Sequence, residues 1–210
     1  MILKNKILMK IMNLDFVNVK DINKDLIEKI RNWRNNKNIS RYMLNNRYIN
    51  REEHKSWIEK LKKEENLKAW VIKFNDKPIG FVSLSNINWD KKTTDWGFYI
   101  YKKSARGKGL GSSSLFKLMC IVFDEMNFQK MRTYVLDNNT NAKHLYEKFG
   151  FKSIKKTDEV IRNNKKIDVY LMEIDKEKWI DIKNDIKCTI KFNIINLILC
   201  NFTFFKSFNT

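Results

Sequence analysis

Arg106-Gly107-Lys108-Gly109-Leu110-Gly111 is the stretch on which the reading of this chain turns. It follows a strand-like run, Thr94 to Tyr101, and opens the longest amphipathic run, Gly109 to Asn127. Glycine costs about 1 kcal/mol at an interior helical position, so helix propensity does not account for Gly107, Gly109 and Gly111. Glycine lets the backbone approach a partner closely and take positive φ. At a helix N-terminus, unpaired N–H groups and the helix dipole favour an anion, phosphate above all. Arg106 and Lys108 add positive charge at the same place. Plain loop punctuation also explains such a turn. A dinucleotide fingerprint does not, because the preceding strand belongs to a meander and no acidic residue ends a partner strand at the required offset. The Lys-Ser/Thr pair of a P-loop is also missing.

Upstream of the glycines, Leu14 to Val19 reads as a strand and Ile22 to Arg34 as a helix, with Ile22, Leu26, Ile27, Ile30 and Trp33 on one face and Asp21 placed to cap it. A polar stretch, Asn35 to Asn50, leads into a second helix. Asn50 caps that helix, and Glu53 stands three residues on, as in a capping box. Ala69 to Phe74, Ile79 to Ile87 and Thr94 to Tyr101 are closely spaced strands joined by turns at Asn75-Asp76-Lys77-Pro78 and Trp89-Asp90-Lys91-Lys92, which is an antiparallel meander. Downstream come the Gly109 to Asn127 helix, a strand Met131 to Leu136, a helix Thr140 to Phe149 closed by Gly150, and a last strand Ile167 to Ile174. The expected fold class is α+β, one mixed, mostly antiparallel twisted sheet flanked by helices.

The chain of 210 residues and +18 formal charge has a composition that excludes a disordered chain, a collagen or a disulfide miniprotein. The charge admits polyanionic partners, but a chain crowded with Lys, Asn and Ile also carries scattered solvated charge. Cys120, Cys188 and Cys200 show no metal-ligand spacing, and His54 and His144 are isolated, so no metal is expected. No secretory signal or spanning run is present, and the expected location is cytoplasmic. Residues 1–13 read as an extension and 14–185 as the domain. The acid-free tail, 186–210, reads as a poorly ordered appendage, with a peripheral membrane or partner-docking segment as the alternative. Its uncharged run from Phe192 to Phe205 is too short and too polar to span a bilayer.

A second motif follows the first: Asn141-Ala142-Lys143-His144-Leu145-Tyr146-Glu147-Lys148-Phe149-Gly150-Phe151. The pair of motifs, in this order and with a helix and a strand between them, resembles the GNAT acetyltransferase superfamily from roughly Leu14 to Asp175. The resemblance implies acetyl-CoA as acetyl donor and no metal. Its phosphates would lie on the backbone of Arg106, Gly107, Lys108, Gly109, Leu110 and Gly111. The pantetheine would enter a splay between the strand ending near Tyr101 and the strand Met131 to Leu136, and Asn141 would contact the cofactor arm. Tyr146 would return a proton to the departing thiolate. A phenol of pKa about 10 is a competent donor to a thiolate whose thiol has pKa about 8.5. A core tyrosine at helical spacing from Leu145 and Phe149 is the plainer reading. Asp95 is the best-placed carboxylate to take the amine's proton through water, and a strand-edge charge is its alternative. His144 reads as a surface residue.

The N-terminal third narrows the resemblance. Trp33-Arg34-Asn35, Tyr42-Met43, Ile49, Glu53-His54, Trp57-Ile58, Gly80 to Asn88, Asp95 to Tyr99 and Ile167 to Leu171 resemble the branch that acetylates the 4-amino group of a UDP-linked 4-amino-4,6-dideoxy sugar in pseudaminic acid biosynthesis. Flagellin glycosylation is the usual destination of that branch's product. The resemblance implies that Arg34, His54, Ser85, Asn86 and Tyr99 face the nucleotide sugar. Arginine can pair with a diphosphate, and rings can stack on uracil or sugar. Another acceptor amine, a ribosomal-protein N-terminus or an aminoglycoside, stays open. So does a non-catalytic nucleic-acid-binding module, although no basic patch interleaved with aromatics and no helix-turn-helix pattern supports one. A homodimer is compatible with the sequence, which does not set the oligomeric state.

Overall fold

The computed structural model describes residues 13–185. The expectations placed on 1–12 and 186–210 lie outside the described residues. Seven strands form one sheet: β1 (Leu14–Asn18), β2 (Lys68–Phe74), β3 (Lys77–Asn88), β4 (Thr93–Ile100), β5 (Lys130–Leu136), β6 (Lys152–Arg162) and β7 (Lys165–Asp175), in the order β1-β2-β3-β4-β5-β7-β6. All neighbours are antiparallel except β4 and β5. The helices are α1 (Lys24–Asn35), α2 (Lys37–Ser40), α3 (Arg51–Lys63), α4 (Leu110–Met119), α5 (Thr140–Lys148) and α6 over 176–185.

Period-two alternation in β2 divides the core. Ala69 and Val71 enter a cluster with Ile30 and Trp33 of α1 and Ile58 and Leu61 of α3. Trp70 and Ile72 turn to the other cluster, which holds Leu115, Leu118 and Met119 of α4 and Met172 of β7. Local chemistry sets the element ends. Asn75 and Asp76 take positive φ in the β2–β3 turn, Asn50 and Glu53 complete the expected capping box of α3, and Gly150 adopts φ +81° after α5.

Four sequence expectations are corrected. α1 begins at Lys24 and is capped by the Asn23 side chain, which accepts from the Leu26 N–H; Asp21 lies in a 3₁₀ turn instead. The helix expected to run unbroken to Asn127 is α-helical only to Met119 and widens to π geometry over Cys120–Glu125. The widened turn holds Asp124, which accepts hydrogen bonds from Trp179 Nε1 (3.0 Å) and Lys183 Nζ (2.6 Å) of α6. That contact docks α6, a helix absent from the sequence reading. Strand β6 was also missed, because it is an edge strand exposed along most of its length and so lacks the alternation of a half-buried strand.

The feature that shapes the site is the β4–β5 pairing. It is parallel and covers only Thr93↔Lys130, Thr94↔Met131 and Asp95↔Arg132. Beyond these pairs β4 stays in register with β3 as far as Ile100↔Gly80, and β5 with β7 as far as Leu136↔Val169. The two strands therefore diverge, each held by its outer neighbour; just past the last pair Thr133 Oγ1 still donates to the Trp96 carbonyl (3.0 Å), and beyond it neither strand pairs the other's backbone, which leaves a wedge. Gly80 is required at the tight edge of this arrangement, since a Cβ there would sit 2.3 Å from the Tyr99 carbonyl oxygen.

Candidate active site

The glycine loop stands at the mouth of the wedge. Gly107 and Gly109 have φ +70° and +79°, the left-handed conformation that glycine tolerates best. Gly109 is the N-cap of α4 and offers no side chain to its first turn, so the leading N–H groups of α4 are open to an anion. Arg106 straps the loop to the end of β4: its Nε donates to the Ile100 carbonyl (2.9 Å) and its Nη2 to that of Tyr101 (3.5 Å). Lys108 is exposed and Leu110 is packed in the core, so those two positions offer backbone rather than side chain.

Inside the wedge is a cavity of about 850 Å³ that brings together Arg106, Gly107, Gly111, Asn141, Tyr146, Asp95, Ser85, Asn86 and Tyr99 from the sequence reading. Tyr146 is 6% exposed, meets Trp96 edge to face at 5.0 Å, and its hydroxyl bonds to no other described residue. Burial raises its pKa, so the phenol keeps its proton at any physiological pH. Asp95 sits at the apex of the wedge. Its Oδ1 accepts from Arg132 Nε (2.8 Å) and its Oδ2 from Asn86 Nδ2 (2.8 Å). Asn86 owes its position to a bulge in β3, where it takes φ +48°. His144 is exposed on the outer face of α5.

A second cavity of about 370 Å³ joins the first through Met43, Ser83, Gly97, Phe98 and Tyr99. Arg34 and His54 line it, from α1 and α3. Its walls are aromatic, with His54 stacked on Trp57 and Phe81 stacked on Tyr99. Arg34 Nη2 donates to the Asn45 carbonyl, whereas Arg34 Nη1 and the Tyr99 hydroxyl are buried without partners. Burial pulls the Arg34 pKa down and pushes the Tyr99 pKa up. His54 is also held below its usual value, first by burial and then by the Arg31 charge. The acidic residues lining the two cavities, Asp95 and Glu53, are ion-paired with Arg132 and Arg47.

Arg132, Arg47 and Arg162 have no place in the sequence reading of the site. Arg132 carried no local signal: in a strand its neighbours Met131 and Thr133 face the opposite side of the sheet, so a cation between them looks like ordinary alternation. Among the described residues no group of His, Cys, Asp and Glu could hold a metal, and no helix is long and apolar enough to cross a membrane.

A phosphate-ready loop at the mouth of two diverging parallel strands, with a buried phenol inside, defines an acyl-coenzyme A transferase fold. The chain belongs to the GNAT acetyltransferase family, whose domain model matches residues 18–152. It is an acetyl-CoA-dependent N-acetyltransferase. It is similar to acetyltransferase PseH of Campylobacter jejuni, at 27% identity over 134 residues, 64% of this chain and 82% of the relative. It is also similar to the spermidine N(1)-acetyltransferase of Vibrio cholerae, at 28% identity over 58% of this chain and 70% of the relative. Among solved structures, the V. cholerae spermidine N-acetyltransferase in complex with CoA and spermine superposes with TM-score 0.73 at 24% identity, covering 80% of this chain and 99% of that one. C. jejuni PseH in complex with acetyl coenzyme A superposes with TM-score 0.60 at 21% identity, covering 78% and 99%. These two likenesses show the shared fold.

Proposed function

We propose that the chain transfers the acetyl group of acetyl-CoA to the 4-amino group of a UDP-linked 4-amino-4,6-dideoxy sugar. The observation that carries this reading is the pair of buried, unpartnered donors, Arg34 Nη1 and the Tyr99 hydroxyl, in a cavity that opens onto the wedge. Unpaired buried donors are costly, and an oxygen-rich anionic acceptor would satisfy them. The His54–Trp57 and Phe81–Tyr99 stacks supply flat surfaces for a base or sugar ring. A polyamine, the acceptor named for the spermidine relative, fits the lining less well. It would need free carboxylates, and Asp95 and Glu53 are both occupied by arginines.

In this reading the loop from Arg106 to Gly111 binds the donor's phosphates, Asn141 meets its arm, and the thioester lies beside Tyr146. The neutral amine attacks the thioester carbonyl carbon. A C–N bond forms, the C–S bond breaks, and Tyr146 gives its proton to the thiolate. The amine's surplus proton leaves through water at Asp95, whose carboxylate is fixed by Arg132 and Asn86 with lone pairs to spare, and a proton taken up from solvent restores Tyr146. The test is an acetyl-CoA thiol-release assay against the UDP-amino sugar, spermidine, a peptide N-terminus and an aminoglycoside. Fast release with the sugar alone is expected; release with spermidine and none with the sugar would overturn the reading.

A further inference from the structure

Residues 41–49, between α2 and α3, wall both cavities: Tyr42, Met43 and Leu44 face the larger one, and Met43, Arg47 and Ile49 the smaller. This segment holds no helix or strand of its own, so its shape depends on what grips it. Its C-terminal end is fixed to α1. The Asn35 side chain bonds both the N–H and the carbonyl of Ile49, and Arg31 Nη1 bonds the same carbonyl and the Tyr48 hydroxyl. Its tip is gripped twice: Arg34 Nη2 of α1 donates to the Asn45 carbonyl, and a distant part of the chain holds the two residues before it. Arg162 Nη2, at the end of β6, donates to the carbonyls of Met43 (3.2 Å) and Leu44 (2.6 Å). Arg162 Nη1 donates to the Ile161 carbonyl at 2.9 Å, which orients the guanidinium.

A cavity of about 410 Å³ lies between Leu44 and Asn45 on one side and Tyr134, Thr157, Asp158, Val160 and Val169 on the other. The tip thus stands off the β5–β7–β6 face, and Arg162 reaches it from the end of the hairpin. The turn that follows Arg162, Asn163-Asn164, has φ +50° and +61° and returns the chain directly into β7. The donor loop is independent of this contact, since Arg106 ties it to β4.

We propose that Arg162 is a positioning residue that latches the 42–45 wall and thereby sets the width of the acceptor mouth. It touches no reacting atom; it acts by holding the carbonyls of Met43, which lines both cavities where they join, and of Leu44, which lines the larger one beside it. Only the kinetic arm of its test rests on the acceptor reading above. Arg162→Ala, Arg162→Gln and Arg162→Lys are compared with the wild type in the full chain. Hydrogen exchange should become several-fold faster at the amides of 42–48 in Arg162→Ala and Arg162→Gln, stay unchanged over 24–35, and be partly restored in Arg162→Lys. With the UDP-amino sugar, the acceptor KM should rise about ten-fold in Arg162→Ala while the acetyl-CoA KM holds. Wild-type exchange over 42–48 in Arg162→Ala, or an equal rise in both KM values, would overturn the latch. If the wild type does not acetylate the sugar, the substrate reading falls, and the exchange data alone decide for or against the latch.

Discussion

Asp95 and Arg132 are the last register pair of the parallel β4–β5 ladder and are also joined by an ion pair of 2.8 Å. The point where the strands part is thus pinned by side chains, this charge pair and the Thr133 hydroxyl on the Trp96 carbonyl (3.0 Å), rather than by further ladder bonds. Asp95 is 5% exposed and the Arg132 side chain 32%, so removing one partner strands a poorly solvated charge, with screening on the arginine side. Asp95→Asn and Arg132→Gln are each expected to destabilise by about 1–3 kcal/mol, with the double substitution well below their sum. Urea unfolding of the four proteins checks this. Strict additivity would mean that the pair contributes nothing to holding the apex.

Tyr146→Phe removes one hydroxyl and keeps the edge-to-face contact with Trp96. Turnover is expected to fall about 10- to 1000-fold with little change in acetyl-CoA affinity, as for loss of a general acid. Because burial raises the Tyr146 pKa, the wild-type rate should show no alkaline loss from this group below pH 10. Steady-state kinetics across pH beside calorimetry decides it, and unchanged turnover would reduce Tyr146 to a packing residue.

Gly109→Val places a β-branched side chain at φ +79°, where L-residues are strained, and at the entrance to the first turn of α4. Acetyl-CoA binding should be lost while the sheet remains folded. Calorimetry on a variant with native circular dichroism is the check; retained affinity would remove the phosphate role of the loop.

The glycine loop and the helix that line the larger cavity were legible because their signature is local in sequence. Glycines that must take positive φ, and a helix carrying Asn141 and Tyr146, leave a short-range signature. The meander was legible for the same reason, through alternation and turn residues. What stayed hidden was set by distant contacts. Strand β6 has no buried face to impose a pattern. Helix α6 is short, and its anchor, Trp179, is fully buried against Phe116 of α4 and against Phe123 and Asp124 of the π turn of Cys120–Glu125. The pairing of Asp95 with Arg132, and the reach of Arg162 to the carbonyls of Met43 and Leu44, join residues that no local spacing relates.

His54 gives a pH signature. Burial, then the Arg31 charge, holds its pKa below the ordinary 6.5. Below about pH 6.5 the unfolded chain therefore binds a proton that the folded chain resists, so this contribution to stability is present above that pH and lost as pH falls. The melting temperature of the wild type should drop more steeply from pH 7 to pH 5 than that of His54→Gln, in which the carboxylates still titrate but the imidazole is gone. Parallel melting curves would show that His54 is as easily protonated in the fold as outside it.

Arg34 separates acceptor binding from donor binding. Its Nη2 is spent on the Asn45 carbonyl and its Nη1 is buried without a partner, close to the equally unpartnered Tyr99 hydroxyl. A diphosphate oxygen on Arg34 and an uncharged sugar oxygen on Tyr99 would gain one charge-assisted hydrogen bond and one neutral one, of about 1.5–3 and 0.5–1.5 kcal/mol. Arg34→Ala should then raise the acceptor KM about 10- to 100-fold, and Tyr99→Phe about 3- to 10-fold, with the acetyl-CoA KM within a factor of about two in both. Because Arg34 also holds Asn45, Arg34→Ala alone confuses binding with wall position, whereas Tyr99→Phe leaves the wall untouched. UDP should compete with the acceptor in the wild type and lose most of its inhibition in Arg34→Ala. Inhibition by UDP that is equal in the two proteins would place the nucleotide elsewhere and leave the smaller cavity without its proposed ligand.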